Sequence, residues 1–258
     1  MRVLLPPSEA KTTGGRGRSV SARSDDGPLA TARAELLAAL DDLLAGPPHA
    51  AAAALHLPPA AVADALAANR AVRDAPTTPA LRRYTGVVYA GMDVAAFDPA
   101  LQRVAARNTL IFSGLWGVLR GDEPVPAYRV PAKATLPGVG VVGTFWRPVL
   151  DVHLPAMLGR GPIVDLRSSD YAAMWRPHGD LARRMIMVRV LSPLPRGGHG
   201  VVSYNSKFAK GRLAAALFER AASGAAPKSA QDVVAAWTDA TGERGECSGD
   251  ASVVLFTG

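Results

Sequence analysis

Cysteine is almost missing: Cys247 is the single thiol in 258 residues. One thiol excludes an intramolecular disulfide framework and any thiolate zinc or iron–sulfur site built by one chain, and it suits a reducing compartment. Histidine is scarce as well, and the five residues at 49, 56, 153, 178 and 199 show no metal-ligand spacing. No apolar run approaches the length needed to cross a membrane, and residues 1–7 are too short for a secretory leader. A nucleophile elbow, a Walker loop and a dinucleotide fingerprint are all lacking. These absences set the expectation of a cytoplasmic protein with no membrane partner, no bound metal and no cofactor.

What is present is ordinary for a globular chain, with 48% hydrophobic and 20% charged residues. The length suffices for one large domain with a substantial core. A formal charge of +7 points to polyanionic partners such as nucleic acid or phosphorylated metabolites, although a solvated basic face gives the same number.

The most informative stretch is residues 110–130, LIFSGLWGVLRGDEPVPAYRV. Leu110, Ile111 and Phe112 form a short apolar run that reads as a buried strand. Ser113 and Gly114 end it, and Gly117 and Gly121 permit tight turning or close approach. Trp116, Arg120, Tyr128 and Arg129 follow on a connection stiffened by Pro124 and Pro126. Such a connection suits a site, and it equally suits an apolar loop whose arginines pair with carboxylates.

Several other elements are legible in chain order. Residues 2–6 read as a first strand, with Ser8, Glu9 and Lys11 on the loop after it. The simple alternative there is a capped turn and a solvated lysine. Residues 12–28, rich in Gly and Ser with Arg16, Arg18 and Arg23, read as a mobile surface loop. Helices are expected over residues 29–44, 58–74 and 98–107, the last opened by Asp98 and Pro99 as N-cap and first residue. Residues 86–91 read as a glycine-bounded strand, with Tyr84 and Tyr89 either lining a cleft or packing. A strand is expected over 162–166, then DLRSSDY with a short helix from Ser168, in which Ser169, Asp170 and Tyr171 follow a strand's carboxyl end. Strands are expected at 184–191, 201–204 and 252–256, and helices to about 222 and over 229–241, with Asp232 in a capping box. Lys207 and Lys210 share one face near a helix start, where two cations oppose the macrodipole unless an anion sits there.

The pentapeptide LPGVG at 136–140 matches the hairpin of helix–hairpin–helix DNA-binding motifs. The prolines at 124, 126 and 131 deny it a preceding helix, so it reads as a coincidental turn.

PSEAK after the first strand, GVVYAG, SGLWGVLRGDEPVPAYR, DLRSSDY and SYNSKFAKGRL together resemble the ordered blocks of the YaaA peroxide-stress family, over nearly the whole chain. The resemblance implies one α/β domain spanning 1–258, a mixed sheet surrounded by helices in an unusual topology. It also implies a role in limiting hydrogen peroxide damage, partly through lower available iron, and binding of double-stranded or branched DNA in a basic cleft. No catalytic reaction comes with it.

Two function classes follow. In the first, Lys11, Arg120, Arg129, Lys207 and Lys210 line one cleft and contact DNA phosphates, while Trp116, Tyr128, Ser169 and Tyr171 line it or stack on a base. In the second, the same blocks form an enzyme pocket for a nucleotide or other phosphorylated small molecule. Asp165 or Asp170 is then the general acid or base, and Lys11 or Lys207 the nucleophile.

Overall fold

The computed structural model describes all residues except 23, 24, 26 and 250. Its organising element is a strand that has no polar face. Val3, Leu4 and Leu5 of Arg2–Leu5 (β1) are all buried, so this strand must lie inside a sheet covered on both sides. The other strands of that sheet are Thr109–Ser113 (β2), Gly117–Arg120 (β3), Ile163–Asp165 (β4), Met185–Pro193 (β5), His199–Gly200 (β6), Gly245–Cys247 (β7) and Ser252–Phe256 (β8). Their order is β7-β8-β5-β4-β1-β2-β3, with β6 paired to β5.

The five central strands, β8, β5, β4, β1 and β2, run parallel. The antiparallel hairpin partners β3 and β7 close the two edges. The expected architecture, one α/β domain with a mixed sheet between helices, is what the chain adopts.

Ala30–Ala45 (α1), Val87–Met92 (α2), Pro99–Asn108 (α3), Val142–Leu158 (α4), Ser169–Ala172 (α5), Ser203–Ala222 (α6) and Ala230–Thr241 (α7) are the helices that matter below. Two caps are as expected. Asp98 accepts the Leu101 amide at 2.7 Å, and Ser229 and Asp232 form both halves of a capping box. No single helix among the described residues is long and apolar enough to cross a membrane.

Three local readings change, and a fourth, LPGVG as a turn, holds. Residues 86–91 are not a strand but contain α2, despite the β-branched pair Val87–Val88. The reason is packing: a Cβ on Gly91 would sit 2.2 Å from the Phe208 carbonyl oxygen, and one on Gly211 2.0 Å from that of Val88. The glycines let α2 and α6 touch backbone to backbone. Residues 203 and 204 belong to α6, and only His199–Gly200 pairs as strand. The apolar residues after Gly117, read as part of a connection, are β3. LPGVG is a β-hairpin turn between Thr135–Leu136 and Gly140–Val141, with Gly138 and Gly140 at positive φ, leading straight into α4.

The segment expected to be a mobile loop is fastened over its first half. Thr12 donates its amide to Arg83, and Gly17 and Thr77 exchange amide hydrogen bonds. Arg23 lies outside the described residues.

Gly211→Ala is expected to destabilise the fold by at least ~1–3 kcal/mol, because a methyl there meets backbone that cannot swing aside. Urea denaturation checks this, and an unchanged midpoint would contradict the close helix crossing.

Candidate functional site

Parallel strands deliver their following residues to one edge of the sheet. β1 leads to Ser8, Glu9 and Lys11, β2 ends in Ser113, and β4 leads to Arg167 and the 168–171 turn of helix. The Ser113 hydroxyl accepts the Trp116 amide at 3.0 Å and shares a 2.6 Å hydrogen bond with the Tyr128 hydroxyl. Tyr128 in turn meets the Tyr84 hydroxyl at 2.8 Å, and Tyr89 donates to the Pro6 carbonyl at 2.8 Å. Glycine makes the crowding feasible: a Cβ on Gly114 would lie 2.2 Å from the Val130 carbonyl oxygen, and one on Gly86 2.2 Å from the Ser8 hydroxyl.

Lys11 lies over this aromatic floor. Its ammonium is 4.3 Å from the Tyr128 ring centre and 5.3 Å from that of Tyr84, and donates to the Ser8 carbonyl at 2.7 Å. The residue is half-buried, but its charged end is not in bulk water as a solvated lysine would be. Burial lowers its pKa from 10.5 to about 7, with the Glu9 charge opposing and those of Arg129 and Arg83 adding. Burial also raises Tyr128 to about 12, against hydrogen bonds from Ser113 and Tyr84, and pushes Tyr171 up. A cleft of about 50 Å³ opens here, lined by Ser8, Glu9, Lys11, Tyr128, Arg129 and Tyr171 among others. Glu9 forms an ion pair with Arg129, whose Nε is buried without a hydrogen-bond partner.

Behind the cleft, Arg167 and Asp165 form an almost fully buried ion pair. Arg167 Nε and Nη2 donate to the two carboxylate oxygens at 2.8 and 2.7 Å, and Nη1 donates to the Trp175 carbonyl at 3.1 Å. The guanidinium also stacks 4.3 Å from the Phe112 ring centre. Lys210 donates to the Arg167 carbonyl at 3.2 Å, and burial lowers its pKa against the opposing charge of Asp165.

The edge therefore unites Lys11, Arg129, Lys210, Tyr128 and Tyr171. Arg120 does not join them. It pairs in register with Leu110, at the opposite, amino edge of the parallel strands. Asp165 is corrected as a candidate acid or base, because both its oxygens are occupied by Arg167. Trp116 and Tyr128 are corrected as stacking surfaces, since both are buried and Trp116 stands edge-on to Tyr128 with centroids 6.2 Å apart. Ser169, Asp170 and Lys207 are exposed. No group of three or more His, Cys, Asp or Glu among the described residues is placed to hold a metal ion.

Sequence reasoning did not single out Arg167, although the Asp–x–Arg spacing at a strand end places both on one face. It also missed Tyr204 and Phe208, which stand four apart in SYNSKFAKG on either side of Lys207. They are 62% and 37% exposed, and their rings lie within 7° of parallel with centroids 6.4 Å apart.

Comparison with known proteins adds a family. The model for peroxide stress protein YaaA matches residues 1–233. A UPF0246 protein of Streptomyces coelicolor is 40% identical over 240 residues, covering 93% of this chain and 90% of its own. UPF0246 proteins of Corynebacterium efficiens and Corynebacterium glutamicum are 36% and 33% identical, each over 84% of both chains.

The depressed Lys11 pKa has a signed consequence. Between about 7 and 10.5 the unfolded chain holds a proton there that the folded chain has released, so stability rises with pH across this window. Wild-type stability minus that of Lys11→Met, from denaturation at several pH values, is expected to climb from pH 7 to 10. A flat difference would contradict the desolvated ammonium.

Proposed function

The chain belongs to the family of peroxide stress protein YaaA, and from that premise we propose that it is a DNA-binding stress protein that limits oxidative damage. DNA is held on the first turns of α6. The observation that carries this reading is the parallel, exposed pair Tyr204 and Phe208, with the exposed Lys207 just before Phe208 on the same helix. Exposed aromatic faces beside cations are what single-stranded or unpaired bases stack on, with phosphates alongside. Lys210, one turn further on, and Arg129 extend positive charge toward the cleft. The partly neutral Lys11 contributes less to phosphate binding than its sequence position implies.

This reading favours branched DNA over intact duplex, because a duplex offers no free base face. A second reading retains support from Lys11: a desolvated amine beside a cleft, with an unpartnered Arg129 Nε, suits an enzyme on a nucleotide or other phosphorylated small molecule. Lys11 would then be the nucleophile, without help from Asp165.

In fluorescence anisotropy across a salt series, Lys207→Ala is expected to lower the magnitude of the log K against log salt slope by about 1. Tyr204→Ala is expected to cost ~1–3 kcal/mol on a branched junction and less on duplex. Binding indifferent to both substitutions would sink the reading.

A further inference from the structure

A second cationic site lies at the other end of the sheet. There the strands begin, and register places Arg2 of β1, Thr109 of β2 and Arg120 of β3 close together. With Arg107 and His153 they line a cavity of about 300 Å³, far roomier than the cleft at Lys11. Arg2 is held in place by donating through Nε to the Met157 carbonyl at 2.9 Å and through Nη1 to the Arg107 carbonyl.

No carboxylate lines this cavity among the described residues; beside it, the exposed Asp122 pairs with Arg120 Nε at 3.5 Å and Glu123 accepts the Arg120 amide at 3.1 Å. Gathering guanidinium groups of like charge around a concave surface is unfavourable unless an anion completes it. Burial, with the charge of Arg120 adding, lowers the pKa of Arg2. Thr109 is 1% exposed and contributes to the wall without opening its hydroxyl to the cavity. The remaining wall is apolar, from Leu110, Val152, Ala156 and Met157.

We propose that this cavity binds a small molecule carrying a diphosphate group, with the phosphates against Arg2, Arg107 and Arg120. Planar guanidinium forks match phosphate oxygens pairwise, which suits two adjacent phosphates better than a monovalent anion. The site is separate from the Lys11 edge and does not rest on the DNA reading. Either inorganic pyrophosphate or a nucleoside diphosphate supplies the chemistry, and the apolar wall gives an organic group somewhere to lie.

Isothermal titration of the full chain with pyrophosphate and with adenosine diphosphate, at fixed ionic strength and with sulfate as control, tests it. Saturable binding that weakens at least tenfold in both Arg107→Ala and Arg120→Ala, and survives in Lys11→Met, is expected. Tighter binding of the nucleotide would identify the organic source, and equal binding the inorganic one. Absence of binding, sulfate binding as tightly, affinity unchanged in the arginine variants, or loss in Lys11→Met would each overturn the proposal.

Discussion

The guanidinium of Arg167 is in a dry interior, and much of the carboxyl edge is arranged to keep it there. A buried charge costs several kcal/mol unless a partner and further hydrogen bonds compensate it. Asp165 supplies the partner from the end of β4, the helical turn after it supplies carbonyls, and Phe112 supplies an aromatic face. The same device recurs twice. Arg83 is fully buried and donates to the carbonyls of Thr12, Gly14, Pro76 and Val125, which ties the loop after β1 to the body. Arg33 on α1 donates to the carbonyls of Trp116 and Val118 and pairs with Glu123 at 2.7 Å, which holds the β2–β3 hairpin against the helix. Long connections that would otherwise be free are fixed by cations whose alternative is an unsatisfied charge.

From this follows the division of the molecule into two edges. At the carboxyl edge, fixed loops press Tyr84, Tyr128 and Lys11 together until water is squeezed from the ammonium. At the amino edge, Arg2, Arg107 and Arg120 surround open space instead. A chain with a formal charge of +7 thus spends some of its cations inside as braces and sets others around open space. Net charge alone does not distinguish the two uses, which is why it is a weak guide to a binding surface.

The elements that were legible in the sequence are those set by local rules. Asp98–Pro99 and Ser229–Asp232 announce helix starts because capping is a matter of three or four neighbours. Apolar runs such as LIF and IVD read as buried strands for the same reason. The errors arose where distant packing overrode propensity. Val87–Val88 enter a helix because Gly91 and Gly211 allow two backbones to meet, and no local signal reveals that crossing. At the carboxyl edge the structure brings several of the blocks together, and what each residue can do there depends on burial. Asp165 looked like an acid until Arg167 occupied it, Arg120 looked like a neighbour of Lys11 until register put it at the opposite edge, and Trp116 looked like a stacking face until burial beside Tyr128 took its ring out of reach.

The DNA reading rests on Tyr204 and Phe208 being free to receive a base, so the most direct measurement is contact with an unpaired base itself. A branched DNA carrying 5-bromouracil at the unpaired branch position would be irradiated with the protein, and the crosslinked peptide mapped by mass spectrometry. Crosslinks at Tyr204 or Phe208 are the result this account predicts. Crosslinks confined to the amino-edge cavity around Arg120, or none at all under conditions where the junction is bound, would contradict it.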